Sequence, residues 1–191
     1  MSRLALGILG SGRGTNCRAI LERIRRGSLD ADARVIISDV IDAPILDVAR
    51  EFSVPNAYLP PGHFRTRLEP NSEAEMVRML RDAGVEMVVL AGFMRVVKSP
   101  TLETFPRRIL NIHPSLLPLF PGLMAWKQAL QAGHKVTGCT VHYVDEQIDH
   151  GDILAQREVP ILPNDTPETL HERIQVEERT LYPEVIGRFC I

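Results

Sequence analysis

Apolar runs of strand length alternate with segments of helical period along most of the chain. The strand-like runs lie at 4–10, 33–39, 85–93, 109–113 and 135–144, with a short one at 56–59. They are rich in Val, Ile and Leu without polar alternation, which is typical of strands buried on both faces of a parallel sheet. The intervening segments place apolar residues on one helical face. The pattern therefore predicts an α/β fold with a Rossmann-like, mostly parallel sheet flanked by helices.

The C-terminal part departs from this alternation. TVHYV at 140–144 and ILAQREVPI at 153–161 follow each other with no helix between them, which predicts an antiparallel addition at one sheet edge. A final helix follows, capped by Asp165 or Thr166, with Pro167 in its first turn and running to residue 189. We find no repeat, low-complexity segment or interdomain linker, so we expect one catalytic domain over residues 1–191.

Composition narrows the functional classes. The chain has 22 Lys and Arg against 24 Asp and Glu, and this near-balance provides no electrostatic footprint for nucleic acid or an anionic membrane. Its three cysteines are far apart and show neither metal-binding spacing nor a disulfide framework. The N-terminal apolar segment is too short for a signal peptide, and no apolar run approaches a membrane span. We expect a cytoplasmic protein that acts on small molecules.

A glycine-rich loop, GSGRGTN at 10–16, joins the first predicted strand to the first helix. Glycines permit a tight turn, and the backbone N–H groups at a helix start can hold a phosphate. The loop lacks a complete dinucleotide fingerprint, and its Thr and Asn suit a monophosphate better. The alternative is a plain turn capped by Thr15.

AGFMRVV at 91–97 follows another predicted strand, at the sheet edge where open α/β folds bind ligands. Gly92 permits a close backbone approach, and Met94, Val96 and Val97 offer an apolar wall for a flat aromatic ligand. A helix entry with Met94 in the core is an equal alternative.

NIHPSLLPLFPG at 111–122 lies at the end of the next strand. Asn111 and His113, two apart on an extended chain, point to one side. An amide donor and an imidazole there can stabilise an oxyanion and move a proton, while the prolines stiffen the outgoing loop. A buried polar pair satisfied by backbone groups is the structural alternative.

An acidic loop, VDEQIDHGDIL at 144–154, could bring a carboxylate to His113 and raise its proton affinity. A solvated acidic turn is the default for any single carboxylate. A metal site would draw on His113, His142, Asp149 and Asp152, but their spacing matches no closed metal signature, so we expect no bound metal.

Taken in order, SGRGTN, VVLAGFMR, ILNIHPSLLP with FPG, GCTVHYVDEQIDHGDIL and IQVEERTLYP resemble the folate-dependent formyltransferases over nearly the whole chain. The resemblance implies the formyltransferase fold and a catalytic trio of Asn111, His113 and Asp149. It also implies transfer of a formyl group from 10-formyltetrahydrofolate, as co-substrate, to the amino group of glycinamide ribonucleotide. The resemblance further implies that the reaction needs no metal.

The resemblance also implies binding residues for both substrates. The residues implied to bind the phosphate and ribose of the ribonucleotide are Gly14, Thr15, Asn16, Gln175 and Glu178. On the folate side they are Arg67, Met94, Arg95, Val96, Val97 and Asp145. Met124 and Trp126 stand where some members have histidines, so contacts there are open. A formyltransferase acting on another amine, such as a sugar nucleotide, and a non-catalytic nucleotide-binding module remain alternatives, and the chain could be a monomer or a homodimer.

Overall fold

The computed structural model describes residues 3–190, and one twisted sheet organises them. Its strand order is β3-β2-β1-β4-β5-β6-β7, with β1 to β5 parallel and both β5–β6 and β6–β7 antiparallel. This arrangement confirms the predicted fold class. The strands are β1 (Leu4–Leu9), β2 (Ala31–Ser38), β3 (Asn56–Tyr58), β4 (Met87–Leu90), β5 (Ile109–His113), β6 (Val136–Tyr143) and β7 (Ile153–Pro160).

The helices begin close to where the sequence predicts them. They are α1 (Thr15–Arg25), α2 (Pro44–Glu51), α3 (Pro70–Asp82), α4 (Ser99–Thr104), α5 (Ala125–Gln131) and α6 (Pro167–Gly187). Proline stands in the first turn of α2, α3, α4 and α6, where its missing N–H costs nothing. Of the two predicted caps for α6, Thr166 is the one used, in a reciprocal pair of hydrogen bonds with Thr169. No helix among residues 3–190 is both long and apolar enough to cross a bilayer.

Alternate residues of the central strands enter two separate cores. In β4, Met87 and Val89 belong to the core on one face of the sheet, whereas Val88 and Leu90 belong to the core on the other. Both faces are covered, which explains why these strands read as unbroken apolar runs. Along β5, Leu110 and Ile112 join the first core. Asn111 and His113 therefore project to the opposite face, beside the carboxyl end of the sheet.

Helix α6 is tied to the same end of the sheet through Tyr182. Its fully buried hydroxyl lies 2.9 Å from the carbonyl oxygen of Leu110 and 3.1 Å from that of Leu90. These carbonyls belong to the neighbouring strands β4 and β5. Because the hydroxyl can donate to either oxygen, it holds the helix against the strand ends from which the candidate site is built.

We predict that Tyr182→Phe lowers the free energy of unfolding by about 1 kcal/mol, because two buried carbonyl groups lose a donor that no water replaces. Urea denaturation of both proteins measures the difference. Tyr58→Phe, at a half-exposed tyrosine in β3, is the matched control and should leave stability within about 0.5 kcal/mol of the parent. Equal effects of the two substitutions would contradict this role for the buried hydroxyl.

Candidate active site

Three side chains predicted to act together meet at the end of β5. Asn111 and His113 project from the strand, and the loop after β6 brings Asp149 over them. The Asp149 Oδ2 atom lies 3.2 Å from His113 Nδ1, and Oδ1 lies 3.5 Å from Asn111 Nδ2. The His113 side chain is 6% exposed and that of Asp149 is 11% exposed. The structure thus selects one carboxylate from the acidic loop and places it in a largely water-free contact with the imidazole.

His142 completes the cluster, and the sequence drew attention to it only as a possible metal ligand. It lies directly opposite Asn111 in the antiparallel β5–β6 pairing. Its Nε2 atom is 3.2 Å from Asn111 Nδ2 and 3.7 Å from Asp149 Oδ1, while Nδ1 lies 2.7 Å from the Tyr143 carbonyl oxygen. The imidazole is nearly inaccessible to solvent. It therefore contacts both the Asn111 amide and the Asp149 carboxylate.

The proline-containing loop after β5 supplies two backbone contacts. The Phe120 carbonyl oxygen lies 2.9 Å from His113 Nε2, and the Gly122 N–H donates to Asp149 Oδ2 at 2.8 Å. Phe120, Gly122 and Asp149 all have positive φ angles of 54°, 81° and 53°. Such backbone conformations are uncommon outside glycine and concentrate at functional sites. Both sides of the His113–Asp149 contact are thus held by the backbone of one loop.

Burial dominates the protonation behaviour of the pair. It lowers the pKa of His113 below the ordinary 6.5, while the Asp149 carboxylate and the Phe120 carbonyl act in the opposite direction. Burial alone would raise the pKa of Asp149, but contacts with His142, His113 and the Gly122 N–H lower it below 3.8. At neutral pH the carboxylate is ionised and the ring of His113 is neutral. Both nitrogens of that ring face acceptors, so the ring is well placed to take up a proton.

The predicted ribonucleotide residues also gather in one region. Gly14 is the N-cap of α1, with φ 72°, and a Cβ atom there would meet Ile45 Cα at 2.9 Å. Helix α1 begins at Thr15 without a side-chain cap, so the alternative of a turn capped by Thr15 is wrong and the first N–H groups of the helix stay available. Asn16 Nδ2 donates to Glu178 Oε2 of α6 at 3.0 Å.

Asn16 and Glu178 form a buried polar pair with incomplete hydrogen bonding. Burial raises the pKa of the Glu178 carboxyl to about 7, against the effects of Asn16 and Arg179. In the described part of the chain, Asn16 Oδ1 is buried and has no hydrogen-bond partner. Such groups are rare in folded proteins and are common where a ligand supplies the missing contact.

Most of the predicted folate residues lie on two loops that touch each other, whereas Asp145 lies on the acidic loop after β6. Arg67 and Val96 form an isolated β-bridge, and the Arg67 guanidinium lies 4.1 Å from the centre of the Phe64 ring. Met94 is 59% exposed, as an apolar wall requires, whereas Val97 is 3% exposed and packs into the core.

Two further residues of the predicted folate set hold loop structure. Arg95 Nε donates to Asp39 Oδ2 at 2.6 Å, and its Nη1 atom donates to the carbonyls of Phe64 and Arg65. Asp145 accepts from the Gln147 N–H within its own loop. Their contact with folate stays a prediction.

Asp39 is a second residue whose role was not evident from the sequence. Its buried carboxylate accepts from the Ser11 hydroxyl and from Arg95, and the Ser11 Oγ atom in turn accepts from the Met94 N–H at 2.8 Å. The glycine-rich loop is thereby joined to the loop after β4. A carboxylate directly after a buried strand was the signal in the sequence, but only the fold supplies its partners.

The structure does not bring together the four ligands of the alternative metal site. Asp152, one of its four suggested ligands, is exposed and pairs with Arg107 at 2.8 Å. Within residues 3–190, no group of three or more His, Cys, Asp or Glu side chains is arranged to hold a metal ion.

Fold and site together define an α/β enzyme that sets an amide donor beside a buried acid–base pair at the carboxyl ends of parallel strands. The family profile described as formyl transferase matches residues 4–186, and the chain belongs to this family.

Named relatives cover most of the chain. It is 40% identical over 179 residues to phosphoribosylglycinamide formyltransferase of Bacillus subtilis (strain 168), covering 94% of this chain and 91% of that protein. The crystal structure of glycinamide ribonucleotide transformylase 1 from Symbiobacterium toebii matches with a TM-score of 0.94 at 46% identity, covering 98% of this chain and 88% of that one. Phosphoribosylglycinamide formyltransferase from Bacillus halodurans matches with a TM-score of 0.91 at 40% identity, covering 97% and 94%.

We predict that NMR titration of the His113 ring gives a midpoint below 6.5 and that Asp149→Asn lowers it further. The substitution removes the negative charge that favours the imidazolium while leaving the ring buried. Asp152→Asn, which removes an exposed carboxylate from the same loop, should leave the midpoint unchanged. A higher midpoint in the Asp149 variant would show that the carboxylate does not favour the protonated ring.

Proposed function

We propose that the protein transfers a formyl group from 10-formyltetrahydrofolate to the amino group of glycinamide ribonucleotide in purine biosynthesis. The observation that carries the proposal is the contact among Asn111, His113 and Asp149 in a member of the formyl transferase family. Its named relatives are phosphoribosylglycinamide formyltransferases over nearly their whole length. One sheet carries all the residues concerned, which supports a single catalytic domain over residues 1–191.

In the proposed reaction the substrate amine attacks the formyl carbon, and the carbonyl electrons move to oxygen. The Asn111 amide and the His113 ring, once it carries a proton, stabilise the resulting oxyanion. The carbon–nitrogen bond to folate then breaks as the leaving nitrogen takes up a proton, and the amine loses one. His113 moves protons between these groups, because its ring is neutral in the free protein and the Asp149 carboxylate favours its protonated form. Asp149 orients the ring and stabilises its charged form.

The two substrates would approach the trio from opposite sides. The phosphate would bind the free N–H groups at the start of α1, beside Gly14 and Thr15, where the helix dipole favours an anion. The ribose would lie near Gln175, Glu178 and the unpartnered Asn16 oxygen. The folate ring would lie against the loop around Met94 and under the acidic loop that carries Asp149.

Substitutions at the trio test the mechanism. We predict that Asn111→Ala lowers kcat about a hundredfold, which corresponds to roughly 3 kcal/mol of lost oxyanion stabilisation. His113→Ala and Asp149→Asn should each nearly abolish turnover, because the proton-transfer group is lost or no longer oriented. Steady-state kinetics with both substrates measures these effects, and circular dichroism checks the fold. The matched control, Asp152→Asn, should keep parental activity; a comparable loss there, or none at His113, contradicts the assignment.

The substrates themselves are tested with a spectrophotometric assay for loss of 10-formyltetrahydrofolate. We predict turnover only when glycinamide ribonucleotide is also present. Turnover of folate alone would indicate a hydrolase instead. If folate and nucleotide bind but nothing turns over, another amine acceptor such as a sugar nucleotide becomes the better hypothesis, and nucleotide binding without folate binding would indicate a non-catalytic module.

A further inference from the structure

A stacked pair of rings lies outside the catalytic trio and has no part in the chemistry above. Trp126 of α5 and His171 of α6 are parallel within 3°, with ring centres 3.6 Å apart. Both side chains are partly buried. The stacking joins α5 to α6 one helical turn before Gln175, a predicted ribonucleotide residue.

The stacked pair continues into a chain of hydrogen bonds. His171 Nε2 lies 3.3 Å from Gln175 Nε2, one helical turn along α6, and Gln175 Oε1 lies 3.3 Å from Arg13 Nη2. A guanidinium can only donate, so the Gln175 oxygen must face Arg13 and its NH₂ group must face His171. The NH₂ group can only donate in turn. His171 Nε2 must therefore be unprotonated, and in the neutral ring the hydrogen is on Nδ1.

The charges around the ring agree with this assignment. Burial and the nearby Arg13 guanidinium lower the pKa of His171, while Glu172 acts weakly in the opposite direction. A neutral ring keeps Nε2 free to accept from Gln175. Stacking against Trp126 fixes the plane of the ring and hence the direction of its lone pair. The position of Gln175 is thus set by an aromatic contact on another helix.

Arg13 is the last residue in this series of hydrogen bonds. It lies directly before Gly14, the N-cap of α1. It is exposed, and it lines a groove of about 500 Å³ together with residues that include Thr15 and Arg179. A guanidinium beside free helix N–H groups adds a mobile cation to a phosphate site. Holding its side chain through Gln175 reduces the freedom lost when a ligand binds.

We propose that the Trp126–His171 pair is a positioning device that orients Gln175, and through it Arg13, for the phosphate and ribose of glycinamide ribonucleotide. This inference rests on the proposed function. Neither ring contacts the reacting atoms, so the pair acts on substrate affinity and leaves the chemical step alone.

Two substitutions at His171 separate the hydrogen bond from general packing. His171→Leu keeps the size of the side chain but removes the acceptor, and we expect KM for glycinamide ribonucleotide to rise about tenfold with kcat within about twofold. His171→Gln restores an acceptor oxygen and should return KM to within about threefold of the parent. KM for 10-formyltetrahydrofolate should not change in either variant. An unchanged ribonucleotide KM in His171→Leu, or equal effects of Leu and Gln, would overturn the proposal.

A second measurement tests the chain of hydrogen bonds without any turnover. Long-range ¹⁵N–¹H spectra of the parent protein, at a pH well above the pKa of histidine, report which nitrogen of His171 carries the hydrogen. We expect Nδ1, and a change in this signature in Trp126→Ala but not in Trp126→Phe. A hydrogen on Nε2 overturns the inference. If the parent fails to use glycinamide ribonucleotide while the Nδ1 signature is present, the proposed substrate is wrong and the chain of contacts still stands.

Discussion

The rest of the site depends on the burial of one ionised carboxylate. Removing a lone carboxylate from water costs several kcal/mol, so Asp149 can occupy its place only with its oxygen atoms satisfied. The contacts come from three different elements: His113 on β5, His142 on β6 and the Gly122 N–H in the loop between them. A shift of any one element would remove a contact from the buried charge. The carboxylate therefore fixes the relative positions of the groups that surround it.

The antiparallel edge of the sheet makes this arrangement possible. After four parallel pairings, β6 runs back along β5 from His113, opposite Thr140, to Leu110, opposite Tyr143, and this sets His142 opposite Asn111. The acidic loop leaves β6 beside the amino end of β5, where the Val144 N–H donates to the Ile109 carbonyl oxygen, and it folds back so that Asp149 reaches His113. The antiparallel pairing thus places His142 beside Asn111, and the loop that follows β6 brings Asp149 to both of them.

The fold was largely predictable, and the site was predictable in part. Strands buried on both faces leave unbroken apolar runs, so most strands and the antiparallel edge could be placed, although β4 covers only Met87–Leu90 of the predicted 85–93. The spacing of Asn111 and His113 predicted their common side. His142 and Asp39 could not be assigned, because cross-strand register and contacts between loops depend on tertiary packing. The alternative of a turn capped by Thr15 was wrong, because the N-cap is Gly14 in a left-handed conformation.

The site around Asp149 and the region at the start of α1 differ in how far their polar groups are hydrogen-bonded in the free protein. Around Asp149 both carboxylate oxygens have protein partners, so the catalytic groups are held in place before substrate arrives, as electrostatic preorganisation requires. At the start of α1 the helix N–H groups are uncapped, Asn16 Oδ1 is unpartnered and the Glu178 carboxyl is strongly desolvated. Those unmet contacts destabilise the free protein, and a bound phosphate and ribose would offset them. Under the proposed function, the catalytic groups already have protein partners, whereas the groups that would bind the ribonucleotide gain partners when it binds.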